Sequence, residues 1–422
     1  MRSQNYYRAV SFPEMINKPN SHQKDPGGYL LSKRSFGLYI HWPFCRAKCP
    51  YCDFNSHVKT SVNEKSFGNA LLTEMTYMAS LLPEHPPLSS LFFGGGTPSL
   101  MPPWLIEQLI IHAQNLFGFV ANIEITAEAN PTSVEAKSML EFHQAGVNRV
   151  SMGVQSLDDA NLKFLGREHS VKDALAALDV IRTAFDAVSI DLIYAFPDQS
   201  AKAWRTMLGE ALSLGLAHMS LYQLTIEAGT IFHTRRLKGE IMSLDDDRAA
   251  DLFEITQEMT TAAGLPAYEI SNHAAIGQEC RHNLTYWQAA DWIGVGPGAH
   301  GRFTVLGPKQ KRLSRTETII RRSPTGWLNA VNTRGHGIEK KEVDTPKDWA
   351  HEMIMMGLRL RDGIHLDKIK ALCGPVESWL DSNAVDQCLE VGWLHHDYEK
   401  SSLVATPDGK LRLNHILSAI LR

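Results

Sequence analysis

Three cysteines, Cys45, Cys49 and Cys52, fall within eight residues in the order C-x3-C-x2-C, while Cys280, Cys373 and Cys388 are scattered far from them. Clustered thiols in a long chain with no apolar export leader point to metal or redox chemistry rather than to a disulfide framework. Zinc closes four ligands, drawn as a rule from two pairs, and three thiolates in one loop have no fourth partner nearby. Soft thiolates also suit iron–sulfur clusters. Held by three cysteines, a four-iron cluster keeps one iron open, which is what activation of a substrate or cofactor at the cluster requires. The plainer alternative is three incidental thiols, but free cysteines usually scatter through cores.

A second group of polar residues shares a pattern of position. Gly94, Gly95, Gly96 and Thr97 precede Pro98 at the end of an apolar run; Glu128, Gln155 and Asp191 stand in or at the ends of others, and Arg167 follows in a loop. Glycines at a strand end let a ligand approach the backbone and leave amide donors pointing outward, although a glycine run by itself most often makes a tight turn. Glu128 and Asp191 taken singly could be satisfied by backbone amides. Together the set offers an acid for an ammonium group, a base for a carboxylate, and partners for hydroxyls, as a zwitterionic ligand carrying a ribose would need.

The elements that must position these residues follow from periodicity. Short apolar or β-branched runs at 36–42, 88–95, 122–129, 148–154, 187–194 and 218–226 read as strands. Amphipathic stretches at about 63–82, 102–117, 132–145, 171–185 and 201–215 read as the helices between them. Thr132 followed by Glu135 gives the third helix a capping-box start. Alternating βα units predict an α/β fold with a parallel sheet, either open or closed into a partial barrel. The cysteine loop follows the first strand, so the cluster belongs at the C-terminal edge of the sheet.

Beyond residue 225 the alternation lapses. A helix over 243–264 leads to the Gly- and aromatic-rich segment HNLTYWQAADWIGVGPGAHG at 282–301, and residues 303–345 read as basic and turn-rich. Helical stretches at 349–361, 365–373 and 383–391 with a hairpin-like end suggest a small helical or winged-helix-like unit. The expected division is a mobile extension over 1–35, a barrel over 36–265, a motif-bearing and connecting segment over 266–345, and the C-terminal domain over 346–422.

The whole chain of 422 residues carries 42 Lys and Arg against 46 Asp and Glu, a formal net charge of −4, which lacks the electrostatic footprint of a nucleic-acid binder. With no apolar run of about 18 residues, no transmembrane helix is expected, and the cytoplasm is the expected compartment. The basic run KQKRLSRTETIIRR at 309–322 offers a peripheral contact with lipid headgroups or an acidic partner, but is read here as a solvated face. Cys373 and Cys388 sit in apolar helical patterns and are read as inert buried thiols.

With these residues in view, YIHWPFCRAKCPYCDF resembles the radical S-adenosylmethionine (SAM) motif, and GGGTP resembles the glycine-rich motif of the same superfamily. From about Phe36 to the C-terminus the chain is similar to the group containing oxygen-independent coproporphyrinogen III dehydrogenase and the HemW-type haem chaperones. The resemblance implies a partial (β/α)6 barrel and a [4Fe-4S] cluster on Cys45, Cys49 and Cys52, with SAM on the fourth iron. It further implies cofactor contacts from Tyr39, Gly95, Gly96, Thr97, Glu128, Gln155, Arg167 and Asp191.

Two features separate the two groups. The dehydrogenase pattern has a further cysteine two residues after the third, where this chain has Phe54. CDFNSH, YQLTIE and above all HNLTYW resemble the chaperones, in which the H-N-x-x-Y-W motif is associated with haem. His282 would then supply an imidazole to iron, Tyr286 and Trp287 a flat apolar surface, and Asn283 a hold on the imidazole or a propionate. His273, His300, His395 and His396 are competing donors, and the plain alternative is core aromatics with a hydrogen-bonded histidine. The resemblance implies a haem chaperone that receives haem, from a donor protein where one exists, and passes it to acceptors such as respiratory enzymes. A homodimer is compatible with that role. The alternative is the dehydrogenase itself, using a 5′-deoxyadenosyl radical for oxidative decarboxylation.

Overall fold

The structure, a computed structural model, describes residues 35–59, 62–306 and 313–422. The extension expected over 1–35 lies outside the described residues except for Ser35, as do residues 309–312 of the basic run.

Six parallel strands come in sequence order: β1 (Phe36–Trp42), β2 (Leu88–Gly95), β3 (Phe119–Ala129), β4 (Arg149–Gln155), β5 (Ala187–Tyr194) and β6 (His218–Gln223). Between them run α1 (Glu64–Ser80), α2 (Pro103–Phe117), α3 (Ser133–Gln144), α4 (Val171–Ile181) and α5 (Ala201–Ser213). Most of these helices start at side-chain caps, Asn63, Thr132, Ser170 and Ser200, each accepting from an amide in the first turn. Ser170 and Asp173 form a full capping box. The box expected at Thr132 is only half made: Thr132 accepts from the Glu135 amide, but the Glu135 carboxylate is turned to the Ser99 hydroxyl and the Asn130 amide.

Period-two alternation gives the sheet two different faces. Leu38, Ile40, Leu91, Phe93, Ile125, Ala127, Val150, Met152, Val188 and Ile190 point outward and are buried under the helices. Apart from Ala127, each of these side chains contributes about 1.5–3 kcal/mol by leaving water. The inner face is polar or aromatic, running through Tyr39 and Phe92 to Glu128, Ser151, Ser189 and Asp191 on registered strands. The outer face holds the barrel together, and the inner face carries the chemistry.

The sheet is larger than the periodicity predicts. Four strands, β8 (Asp291–Val295), β9 (His300–Leu306), β10 (Leu313–Ile320) and β11 (Ile338–Val343), extend it on the far side of β1, and β7 (Asn272–Ala274) closes the other edge against β6. β8 pairs parallel with β1, Phe36 opposite Asp291, and β9 to β11 follow antiparallel. The turn-rich reading of 303–345 therefore gives way to strands. So does the solvated-face reading of the basic run, because Arg315 in β10 is fully buried.

Two other elements lead back to the barrel mouth. Helix α6 (Asp246–Ala262) packs on α5, and helix α7 (Arg281–Trp287) packs on β1, β2 and β8. Helix α8 (Pro324–Arg334) lies on α1, where the buried Glu74 carboxylate accepts from the Gly296 amide at 2.7 Å, the Gly337 amide at 2.6 Å and Trp327 Nε1 at 2.8 Å. This carboxylate fixes the turn that follows β8.

The C-terminal unit has its own core. Helices α9 (Pro346–Gly357), α10 (Leu366–Cys373) and α11 (Ser382–Glu390) pack with a three-stranded sheet of β12 (Ile364–His365), β13 (Leu394–Asp397) and β14 (Ser402–Ala405), β14 in the middle. This helix–strand order is that of a winged helix. Cys373 and Cys388 are buried in it. Arg315 ties it to the barrel: the guanidinium lies 2.7 Å from Glu352 of α9 and 3.7 Å from Asp344, with its centre 5.8 Å from the Trp292 ring and 5.7 Å from the Trp349 ring. Among the described residues no helix is long and apolar enough to cross a membrane.

Candidate functional site

The cysteine loop leaves β1 at the C-terminal end of the sheet and is bound to the glycine loop that leaves β2. The Gly96 amide donates to the Trp42 carbonyl at 2.7 Å, and the Thr97 amide to Phe44 at 2.9 Å. A Cβ on Gly96 would stand 2.8 Å from the Phe44 oxygen and 3.0 Å from Cys45 Sγ, so only glycine permits this approach. The amides of the glycine loop do not point outward to a ligand, as expected from the sequence; they are spent on the cysteine loop and, at Gly95, on the Glu128 carboxylate at 3.1 Å.

Each cysteine sulfur has a polar neighbour. Thr97 Oγ1 donates to Cys45 Sγ at 3.3 Å, Arg167 Nη1 to Cys49 Sγ at 3.4 Å, and Ser56 Oγ lies 3.9 Å from Cys52 Sγ. Burial pushes the Cys45 and Cys52 thiols up. Bare thiolates are therefore disfavoured there, and a cation on the sulfurs would reverse that by deprotonating them outright. Among the described residues no three His, Cys, Asp or Glu side chains converge as they would on one metal ion. The donor set, three thiols with hydrogen-bond donors to the sulfurs, fits a cluster.

Arg167 is held by more than Cys49. Its Nη2 donates to Asn130 Oδ1 at 2.7 Å and to the Gly153 carbonyl at 3.1 Å. Cys49, Thr97, Asn130 and Arg167 line a small cavity of about 70 Å³ on one side of the cysteine loop. On its other side a larger cavity of about 550 Å³ opens into the barrel, lined by Tyr39, His41, Gly95, Glu128, Tyr286 and Trp292 and, toward the surface, by Phe54, Asn55, Gly298, His300 and Arg322. Asp191 accepts from Ser151 at 3.1 Å, and Gln155 occupies a left-handed position with φ 70° at an irregularity of β4; neither lines these two cavities.

Burial pushes the Glu128 carboxyl up to about 8, the Asp191 charge adds to the rise, and the Gly95 amide opposes it. Burial likewise raises Asp191 to about 6, against the Ser220 and Ser151 hydroxyls. Two carboxyls held this way favour a cationic ligand over an empty lumen. The folded state binds the Glu128 proton more tightly than the unfolded chain does, so stability falls as pH rises from the ordinary 4.5 through about 8. Glu128→Gln is accordingly expected to raise the thermal midpoint of ligand-free protein at pH 9 and to leave it unchanged at pH 4. Melting curves at both values test this; an equal shift at each would show that ionisation is not the cause.

Helix α7 carries HNLTYW and closes the lumen from its inner face. Its N-terminus is capped by Glu124 of β3, which accepts from the amides of Arg281 and His282, each at 3.1 Å, and from the Cys280 thiol at 3.4 Å, with Arg149 at 3.5 Å. His282 is 1% exposed. Its Nδ1 bonds Ser90 Oγ at 2.9 Å and its Nε2 bonds the Tyr286 hydroxyl at 2.6 Å. Burial lowers it to about 3, so the ring is neutral. His282 therefore offers no free nitrogen to the cavity. Tyr286 reaches the lining, Asn283 Nδ2 bonds the Tyr268 hydroxyl at 3.3 Å, and half-buried Trp287 lines neither cavity.

Sequence reasoning passed over Asn55, Glu124, Asn130, Trp292 and Arg322 as site residues. Glu124 had a legible signal, since it stands four residues before Glu128 on one strand and so shares its face. Arg322 and Trp292 had none, because β8 and the turn after β10 reach the site only through the unpredicted strands.

Residues 39–211 match the family model of the radical SAM superfamily, and residues 344–411 that of the HemN C-terminal domain. The mouse protein "Radical S-adenosyl methionine domain-containing protein 1, mitochondrial" is 36% identical over 389 residues, covering 91% of this chain and 87% of its own length. The heme chaperone HemW of Escherichia coli (strain K12) is 36% identical over 388 residues, 91% of this chain and 97% of that protein. Among solved structures, the coproporphyrinogen III oxidase HemN of Escherichia coli, a radical SAM enzyme, shares the fold with a TM-score of 0.75 at 21% identity, over 92% of this chain and 90% of that one.

Proposed function

Because this chain belongs to the radical SAM superfamily and, within it, to the family of HemW, we propose that it is a haem chaperone. The superfamily implies a [4Fe-4S] cluster and SAM. Cys45, Cys49 and Cys52 would hold the cluster, and Tyr39, the 95–97 loop, Glu128, Gln155, Arg167 and Asp191 would form the surroundings of SAM. The cluster, when bound, supplies an electron donor and an open iron. The chain's own residues orient the thiols, hold buried carboxyls that a bound cation would ionise, and present an aromatic cavity beside the loop.

One observation carries the choice between chaperone and dehydrogenase. At the position of the dehydrogenase's further cysteine, Phe54 presents an aromatic ring that lines the large cavity and is 63% exposed. An exposed ring there gives a macrocycle a surface to lie on and gives no thiol. Haem transfer is ligand exchange, so the chaperone binds with an affinity between those of donor and acceptor. Haem-dependent respiratory enzymes are the acceptors this reading favours.

The test combines both readings in one preparation: protein purified without oxygen and with its cluster reconstituted is titrated with haem and assayed for coproporphyrinogen III turnover with SAM and a reductant. Saturable haem uptake without protoporphyrinogen is expected. Porphyrinogen turnover without specific haem uptake would replace the chaperone with the dehydrogenase.

A further inference from the structure

Three histidines stand at the large cavity or directly beneath it, and they differ in what their ring nitrogens already do. His41 is 5% exposed, with Nδ1 on the Tyr39 hydroxyl and Nε2 on the Asn55 carbonyl, both at 2.9 Å. His282 is closed in by Ser90 and Tyr286. His300 is exposed at the cavity mouth, and among the described residues its imidazole makes no hydrogen bond. Of the three, it alone presents an available nitrogen.

The backbone holds His300 in place. It pairs with Ile319 at the start of β9, and its carbonyl accepts from Trp292 Nε1 at 3.1 Å. The turn before it passes through Gly298 at φ 86°, where a Cβ would strike Asn55. Asn55, at the end of the cysteine loop, donates from Nδ2 to the carbonyls of Pro297 at 2.8 Å and Arg322 at 3.0 Å. One amide side chain thus fastens three segments around the mouth: the cysteine loop, the turn bearing His300, and the turn bearing Arg322. Arg322 is exposed, lines the same cavity, and its side chain makes no ion pair among the described residues. Between these groups lie the rings of Phe54, Tyr286 and Trp292, the last two edge to face at 4.8 Å.

An open imidazole, a guanidinium at the rim and aromatic walls in a cavity within the usual range of small-molecule sites complement a flat apolar metal complex that carries carboxylates at one edge. Resting on the chaperone reading, we propose that the outer end of this cavity, beyond the Tyr39, Gly95 and Glu128 left to SAM, is the haem site, that His300 is the donor to the haem iron, and that Arg322 pairs with a haem propionate. Partial burial of the ring against the cavity wall, with the positive Arg302 and Arg322 outweighing Glu317, lowers the His300 pKa and favours a neutral donor. Helix α7 then acts from beneath: His282 holds the Tyr286 hydroxyl and so sets the ring that forms the cavity floor.

The test titrates ferric haem into the full chain with its cluster reconstituted, under exclusion of oxygen, following difference absorption and electron paramagnetic resonance. Wild type, His300→Ala, His282→Ala and Arg322→Gln are compared, with metal-free protoporphyrin IX and haem dimethyl ester as additional probes. His300→Ala is expected to lose the histidine-ligated haem spectrum and to bind haem roughly tenfold or more weakly. Its iron and sulfide content and its affinity for metal-free protoporphyrin IX stay at wild-type values, and added imidazole restores the spectrum. Arg322→Gln weakens haem but not the dimethyl ester. A wild-type haem spectrum in His300→Ala, above all with its loss in His282→Ala, would overturn the assignment of His300. Equal weakening of haem and ester would overturn that of Arg322. Absence of saturable haem binding in the wild type would instead defeat the chaperone reading itself.

Discussion

Cys49→Ala protein, reconstituted without oxygen, is expected to hold essentially no cluster iron or sulfide and to show none of the cluster's visible absorption. Cys49 is the loop thiol that receives the Arg167 guanidinium, and Arg167 in turn is anchored on Asn130 and Gly153. With three thiols in the loop, losing one leaves two ligands for four irons, and among the described residues no other His, Cys, Asp or Glu joins a pair of them into a metal-holding group. Iron and sulfide analysis decides the matter, and full content in the variant would remove Cys49 from the ligand set. The fold should survive, because the loop packs at the sheet edge and Cys49 is only half-buried. An unchanged far-ultraviolet circular dichroism spectrum would separate loss of cluster from loss of structure.

The second large effect lies away from the chemistry. Arg315→Met is expected to destabilise the protein by about 3–5 kcal/mol, the usual consequence of removing one member of a buried ion pair. The guanidinium has no exposed surface, contacts Glu352 and Asp344, donates to the Ala289 carbonyl at 3.1 Å, and fills the gap between Trp292 and Trp349. Methionine keeps much of the volume but leaves the carbonyl and part of the carboxylate demand unmet. Lysine should do little better, since a point charge on a flexible stem cannot bridge two acids while lying between two rings. Denaturant midpoints measure the cost. A shift below about 0.5 kcal/mol, the range of ordinary surface changes, would mean that the two units are held by something other than this residue.

The barrel was legible because its strands obey a simple rule: one face apolar against helices, with glycine or a polar group at the C-terminal end. The strands at 36–42, 88–95 and 187–194 have the ends that periodicity gives. The strands beyond residue 290 escape that rule for identifiable reasons. β10 buries Arg315, Thr316 and Thr318, with Ile320 its one buried aliphatic residue, and β11, IEKKEV, is an edge strand whose charges face solvent and protect it from pairing. The cysteines announced themselves by spacing. His300 stood in the sequence as one competing donor among several and Arg322 did not stand out at all, because their place at the cavity depends on strands whose polarity hides them. The motif that carries His282 is conspicuous in the sequence, and the fold engages both of its ring nitrogens with neighbours.

The pairing of β1 with β8 also bears on how the protein is made. β1 lies in the middle of the sheet, and the strand that covers its second edge begins at Asp291. At about 5–20 residues per second a ribosome needs roughly 10–50 s to go from one to the other. Throughout that interval the strand leading into the cysteine loop has an open row of backbone donors and acceptors, a hazard for aggregation. The same delay leaves the cysteine loop without the turn at 296–300 and the Arg322 turn that Asn55 later fastens to it. Synthesis that stops short of residue 295 should therefore yield insoluble chains rather than a smaller working barrel.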